Sequence, residues 1–568
     1  MGRSRSDPPD VVLLVLVAFT LALGGCSARA ALVDLQAGMG DALVEGAFTM
    51  VQARVADLGF PFVGSIVLTQ HLGNEWQGRA LATLRLPLSA ARAGRIEWTV
   101  PLYDARQPME ATLFDRSGVA IASCTIDLRS LRRDKPFPVQ VGDFAMAIAE
   151  DAVTIGPDEL PTLWQSYEGV RSLWIGRVPA GLAPERWEAL ARWVLAGGTL
   201  VVCTGGDFYL LETPLLDGLL PIANPQLKED ELGMNYLAGD PVEGTRVLLE
   251  ENGVPRLLER SYGTGRIVLV TQSALQVSPS LWEEARRLVT DAHLISLSEA
   301  THTLLQAMPF RRPDYLAAVA LMAACTLVLP AVVLWVKTPK RRVQLLVAPV
   351  VALCLASGFY SIRAKHVAQI YEYRTMLSIQ ASVGITLFCT DVVSADGDPI
   401  RTEVRGGVPW IEDIPASRRA GRFDTETDLV SGRLTLSLDP GERRSLRSGG
   451  TCEPLLSLRR TSKDEVTIQN RQAPLHAGIL LVGGQTYRLD EIPLGERRFS
   501  LGDGLATETV SGEDRFAPLL QSLLETLPLE HGLWLVGFRE TEKSVRYTGQ
   551  EKEVREVEAY VVIGDDRA

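Results

Sequence analysis

Two apolar segments between Pro313 and Arg363 constrain this 568-residue chain more than any other feature. Tyr315 to Val336 carries no charged residue, and neither does Val343 to Ile362. A bilayer core of about 30 Å takes roughly 20 such residues in helix, so each segment is long enough to span. Between them, Lys337 to Arg342 reads KTPKRR, which leaves room only for a tight turn. The expectation is a two-helix transmembrane hairpin over 313–363, led in by a short amphipathic juxtamembrane helix over 298–312. Pro330 would kink the first span where a neighbouring helix supports the freed carbonyl. Neither span holds an acid, a base or a histidine, so the hairpin reads as an anchor and not as an ion path.

The amino terminus sets the orientation. Arg3 and Arg5 precede an apolar run from Val11 to Ala22, and Leu23-Gly-Gly-Cys26 follows, which is the layout of an export signal over 1–26. Three readings stand: a lipobox-like end with Cys26 lipidated, ordinary cleavage near Ala28, Ala30 and Ala31, and an uncleaved anchor. The opening Met-Gly-Arg-Ser-Arg-Ser also fits a myristoylation pattern, although the dibasic start running into an apolar stretch favours export. Export places 27–312 and 364–568 on the periplasmic side of a bacterial inner membrane, with the four positive charges of the turn inside. Membrane lipid and an envelope protein are the partners this geography implies.

Between 27 and 142, short alternating runs such as Ile66-Val-Leu-Thr and Arg95-Ile-Glu-Trp-Thr-Val are separated by turn residues. That spacing predicts a β-sandwich of immunoglobulin-like type. From 143 to 297 strands alternate with helices. Val170 to Gly176 is a buried strand, and Pro184 opens a helix where its missing N–H costs nothing. Trp187, Leu190, Ala191, Val194 and Leu195 form one apolar stripe; Gly197-Gly198 stops the helix before the strand Thr199–Cys203. Arg266 to Thr271 gives another strand, and Ser278-Pro279 caps a second helix. Such a strand–helix–strand unit predicts a parallel sheet. The remainder, 364–568, reads as a β-rich domain with a helix from Asp514 to Leu527 and long charged loops at 396–430 and 440–475.

The stretches LAPERWEALARWVLAGGTLVVCTGGDF, LLDGLLPIANP and YGTGRIVLVTQ resemble the class I glutamine amidotransferase-like domains of bacterial membrane proteins. The resemblance covers roughly 45–365 and implies a β-sandwich, then a parallel α/β domain, then a membrane segment. It makes the expected class multidomain α/β plus all-β. Active relatives place a nucleophilic cysteine within Gly-x-Cys-x-Gly, served by a downstream histidine. Here Cys203 and Gly205 match, whereas Val201 replaces the first glycine. No histidine falls between His71 and His293, and no His-x-Glu pair supplies a base. Cys203 therefore reads as a small buried residue at a strand end, and the resemblance implies a domain without catalysis.

Other chemistry is sparse. Cys389 and Cys452 share a domain and are the pair open to a disulfide in an oxidising compartment. The six histidines are scattered, with no CxxC, so no metal site is expected. The acidic run Lys228 to Leu232 lacks a calcium-loop pattern and reads as solvated. Gly263-Thr-Gly265 precedes a strand, which makes it a turn and not a dinucleotide loop; no cofactor is expected. A net charge of −12 argues against nucleic acid, since there is no basic stripe to displace counterions. The reading is an anchored, non-enzymatic envelope scaffold or interaction module. The alternative is a Cys203-dependent periplasmic amidase or peptidase.

Overall fold

The computed structural model describes residues 31–56, 62–72, 80–90, 94–176, 182–203, 219–231, 233–242, 244–290, 369–393, 399–403, 410–411, 424–428, 433–437, 443–471, 474–489, 491–501, 521, 523, 532–547 and 550–564. These residues carry thirty-two strands and two α-helices, Pro184–Leu195 and Pro279–Thr290, of 12 residues each. The described part of the chain is thus mainly β, and the expected α/β class with a two-helix transmembrane hairpin is corrected. Among the described residues no helix is long and apolar enough to cross a membrane. The membrane-anchored placement at a bacterial inner membrane, which rested on that hairpin, is withdrawn with it. The segments expected to form the signal with Cys26, the juxtamembrane helix and the hairpin at 313–363 lie outside the described residues, as does nearly all of the helix expected over 514–527.

A seven-stranded sheet holds the centre. Its parallel part pairs Phe137–Val141 with Val153–Ile155 on one side and Val170–Ile175 on the other. Thr199–Cys203 and Gly265–Val270 follow in parallel. Val254–Tyr262 and Thr245–Glu251 then close the sheet in antiparallel register. Continuous apolar runs such as LVVC suit strands buried on both faces. Phe137–Val141 belongs to this sheet, one strand in from its edge, and not to the sandwich expected to run to residue 142.

The helix Pro184–Leu195 explains how the layers stack. Trp187, Leu190, Ala191, Val194 and Leu195 are buried as the stripe predicts, but Ala189 and Trp193 are buried as well. A second sheet covers that other flank: Leu377, Ile379, Ile385 and Val536 join the same apolar cluster as Leu190 and Leu200. The helix is packed between two sheets, so it is apolar on more than one side. Gly265 permits the joint, because a Cβ there would stand 2.1 Å from Val194 O and 2.4 Å from Gly198 O.

Among the described residues the second sheet has eight strands, all from residue 369 onward. At its centre, Gln369–Gln380 pairs in parallel with Gln550–Ile563 and antiparallel with Gly384–Val393. The amino-terminal strands build a sandwich of a three-stranded and a seven-stranded sheet. That larger sheet is not formed by 27–142 alone, since Asp424–Asp428 pairs in parallel with Leu81 to Arg85. Pro399–Glu403 and Arg433–Ser437 extend it further. Much of the stretch expected to be charged loop at 440–475 is strand, in Arg443–Cys452, Leu456–Ser462 and Glu465–Asn470.

Candidate functional site at the carboxyl edge of the parallel strands

In open sheets of parallel strands, ligands settle outside the carboxyl ends of the strands. Here Cys203 ends its strand opposite Val270. Its side chain is 3 % exposed and packs in a cluster with Ile148, Trp174, Val201, Leu257 and Val270. The segment after Val141 folds back over this edge. Ala145 N–H donates to Ala274 O at 3.1 Å, and Trp282 Nε1 donates to Ala147 O at 3.2 Å. The rings of Phe144 and Trp174 lie 5.7 and 5.1 Å from that of Trp282. Gly176 lets them approach, since a Cβ there would meet Asp143 O at 2.8 Å and the Phe144 ring at 2.9 Å. An apolar, aromatic cap thus covers the strand ends beside Cys203.

This setting fixes the thiol chemistry. Burial pushes the Cys203 thiol well above its ordinary value of 9.0, and no neighbouring charge offsets the effect. Thiolate is the nucleophilic form, so at neutral pH the group is a protonated, small apolar side chain. Thr204 and Gly205, which complete the expected elbow, lie outside the described residues, as does His293. His476 immediately precedes the strand Ala477–Val482 of the carboxyl-terminal sheet, its backbone N–H bonded to Phe538 O at 3.0 Å. Among the described residues no group of three or more His, Cys, Asp or Glu side chains is placed to hold a metal ion.

The expected cysteine pair is not brought together. Gly384 lies opposite Cys452, whereas Cys389 lies opposite Arg447. Five residues of strand span about 17 Å, against a Cα separation of at most about 7 Å in a disulfide. Cys452 is a free thiol with Ser378 Oγ 3.6 Å from its sulfur.

Beyond Cys203 the edge turns polar. The hairpin of Ile222–Glu229 and Asn235–Pro241 leans on the end of the last parallel strand, through Leu237 N–H to Thr271 O at 2.8 Å. Arg256 Nη2 reaches Asp230 Oδ2 at 2.6 Å, with side chains only 4 % and 9 % exposed. Its guanidinium stands 5.0 Å from the centre of the Tyr236 ring, and Glu251 Oε2 is 3.7 Å from Nε. The acidic run read as solvated loop therefore contributes one buried carboxylate, Asp230. An arginine within the apolar strand VPRLLERSY was the sequence signal for it.

A second, partly exposed carboxylate joins the units. The turn Trp164–Tyr167 is buried throughout, and Glu168 follows it. Glu168 Oε2 accepts the Phe48 N–H at 2.9 Å. Trp164 Nε1 donates to Gly450 O at 3.3 Å and Gln165 Nε2 to Gly449 O at 2.7 Å, both on the carboxyl-terminal sheet. No local pattern announces these residues, because their partners are hundreds of positions away.

No protein-family model matches the chain, and no curated protein matches it. Among solved structures, cytoplasmic protein STM1381 from Salmonella typhimurium LT2 overlays 28 % of this chain and 97 % of its own at 13 % identity, with a TM-score of 0.22. The exo-beta-1,4-mannosidase Op5Man5 from Opitutaceae bacterium strain TAV5 overlays 29 % of this chain and 35 % of its own at 14 % identity and a TM-score of 0.18. The Fcho1 mu homology domain of Danio rerio overlays 35 % and 96 % at 7 % identity and 0.18. Scores this low assign neither fold nor function.

Proposed function

We propose that the chain is a non-catalytic interaction module, a multi-sheet β scaffold that presents a surface to a protein or polymer partner. The likeness of its central stretches to glutamine amidotransferase-like domains belongs to this proposal, as a domain kept for its shape. The observation that carries it is the burial of Cys203. The position that an amidotransferase-like reading gives to the nucleophile holds a thiol capped by Phe144, Trp174 and Trp282 and kept protonated by desolvation. A thiol-reactive probe on the folded full chain at neutral pH, compared with Cys203→Ala, tests the reading. Labelling of Cys203 is expected only after denaturation, with Cys124 and Cys452 reporting any background. Rapid labelling in the folded protein that vanishes in Cys203→Ala would overturn the proposal in favour of a Cys203-dependent amidase or peptidase.

A further inference from the structure

We infer that the acidic border formed by the edge strand Thr245–Glu251 and the hairpin beside it docks an extended, lysine- or arginine-rich segment of a partner protein. The inference rests on the interaction-module reading and names the surface and the chemistry of what it takes. Among the described residues Thr245–Glu251 is the last strand of the central sheet, and Val254–Tyr262 is its hydrogen-bonded neighbour. The hairpin is tied to it at both ends. At the start, Thr245 Oγ1 donates to Pro221 O at 2.9 Å. At the far end, Arg256 stands between Asp230, at 2.6 Å, and Glu251, at 3.7 Å. Ribbon and strand therefore make one continuous margin of the molecule.

The charge along that margin is one-sided. Among the described residues from Ile222 to Glu251, six carboxylates stand against Lys228 and Arg246, and of the six Asp230 and Glu251 face Arg256. Arg246 is already engaged, its Nη2 2.7 Å from Glu259 Oε2. Glu229, Glu231, Asp240 and Glu250 are exposed. Two large apolar side chains stand out among them, Leu227 at 40 % and Val247 at 43 % exposed. An acidic track with isolated apolar contacts complements a cationic segment carrying apolar residues at intervals. A second copy of the chain is the wrong occupant, because it brings the same acidic margin and a net charge of −12.

The backbone refines the mode of recognition. The pairing of this strand with its neighbour is irregular between Val247 and Leu249 and again between Leu249 and Glu250. Bulges twist an edge and break its ladder, so an incoming strand cannot hydrogen-bond along its whole length. Side chains and charge then carry the binding, which makes it salt-sensitive.

The test uses the full chain and two labelled peptides, one alternating lysine with valine and one alternating glutamate with valine, followed by fluorescence anisotropy. The lysine peptide is expected to bind and the glutamate peptide not. Binding should weaken by about tenfold or more when ionic strength rises from about 0.05 to 0.5 M. The triple variant Glu231→Lys, Val247→Lys and Glu250→Lys should lose it at an unchanged melting temperature, because all three side chains face solvent. Equal binding of the two peptides, or undiminished binding by the variant, would overturn the assignment. So would a self-associating chain whose oligomer the variant dissolves, which would put a second copy on the edge. Failure here leaves the thiol-labelling result untouched, so the surface and the non-catalytic reading fall separately.

Discussion

Arg447 Nη1 donates to Glu168 Oε1 at 2.6 Å across 279 residues of sequence. The same carboxylate accepts the Phe48 backbone N–H through its other oxygen, and the Arg447 guanidinium lies 5.7 Å from the Phe48 ring centre. One side chain thereby fastens the amino-terminal sandwich, the central sheet and the carboxyl-terminal sheet. Arg447 is 13 % exposed, so its charge is poorly served by water once the carboxylate is gone. Glu168→Ala should cost about 2–3 kcal/mol, discounted from a fully buried pair because Glu168 is partly exposed. Glu168→Gln, which keeps an acceptor, should cost less. Urea denaturation compares them, and equal stability of Glu168→Ala and the parent would refute the fastening.

Arg256 and Asp230 offer a deeper pair. Arg256→Met alone takes the counter-charge from the buried Asp230 carboxylate, which keeps the Met234 N–H donor at 2.9 Å, and should destabilise by about 3 kcal/mol. Adding Asp230→Leu should restore a large part of that loss, since the two charges then disappear together. A double-mutant cycle in denaturant reads the coupling directly, and strict additivity would show that the pair is energetically idle.

Cys203 distinguishes an apolar slot from a polar one. Cys203→Ala should be mildly destabilising, whereas Cys203→Ser should be worse than alanine by about 1–2 kcal/mol, because the hydroxyl enters an apolar cluster. Melting curves of the two variants decide it, with a serine variant as stable as alanine counting against the described packing.

Alkali should unfold the protein earlier than it unfolds a typical domain. Burial raises Cys203 above 9.0, and it raises Tyr167 and Tyr262 above 10.0. In the window above those values the unfolded chain has lost protons that the folded chain retains, so stability falls with rising pH. The stability from Cys203 is fully present below pH 9.0 and is lost above it. In a plot of unfolding free energy against pH, Cys203→Ala should flatten the part of the decline that begins near 9.0. An unchanged slope would contradict the burial of the thiol.

Gly265→Ala and Gly244→Ala should separate crowding from backbone strain. The first places a methyl group 2.1 Å from Val194 O and 2.4 Å from Gly198 O, both on backbone that cannot step aside. Its cost should reach about 3 kcal/mol, at the upper end for overpacking. Gly244 has φ of +79° and open space around it, so only the left-handed conformation is penalised, by about 1 kcal/mol. Equal melting temperatures for the two variants would argue against the tight helix–strand joint.

What the sequence made readable was local. Val170–Ile175, Pro184–Leu195, Thr199–Cys203 and Gly265–Val270 stand where apolar runs, a leading proline and a glycine pair put them. The second buried flank of the helix is not readable, because Trp193 lies 5.6 Å from the Tyr167 ring and shares an apolar cluster with Leu377 and Ile379, far away in sequence. Asp424–Asp428 reads DTETD, with neither apolar alternation nor a turn to mark it; its partner Leu81 to Arg85 supplies the reason it is a strand. Paired strands of polar sequence leave little periodic trace, which is why the β content exceeds what alternation alone shows. At the candidate site, the burial of Cys203 followed from TLVVC, whereas Asp230 and Glu168 owe their roles to partners that only the folded chain supplies.

The pairing of Asp424–Asp428 with Leu81 to Arg85 has a consequence for synthesis. A ribosome must add more than three hundred residues after that early strand before its neighbour exists. Until then the nascent sandwich has an unclosed flank, and closing it across so long a loop is slow. Completion of the amino-terminal half therefore waits for Asp424–Asp428 to emerge. Truncated products should be the ones that chaperones hold and proteases remove.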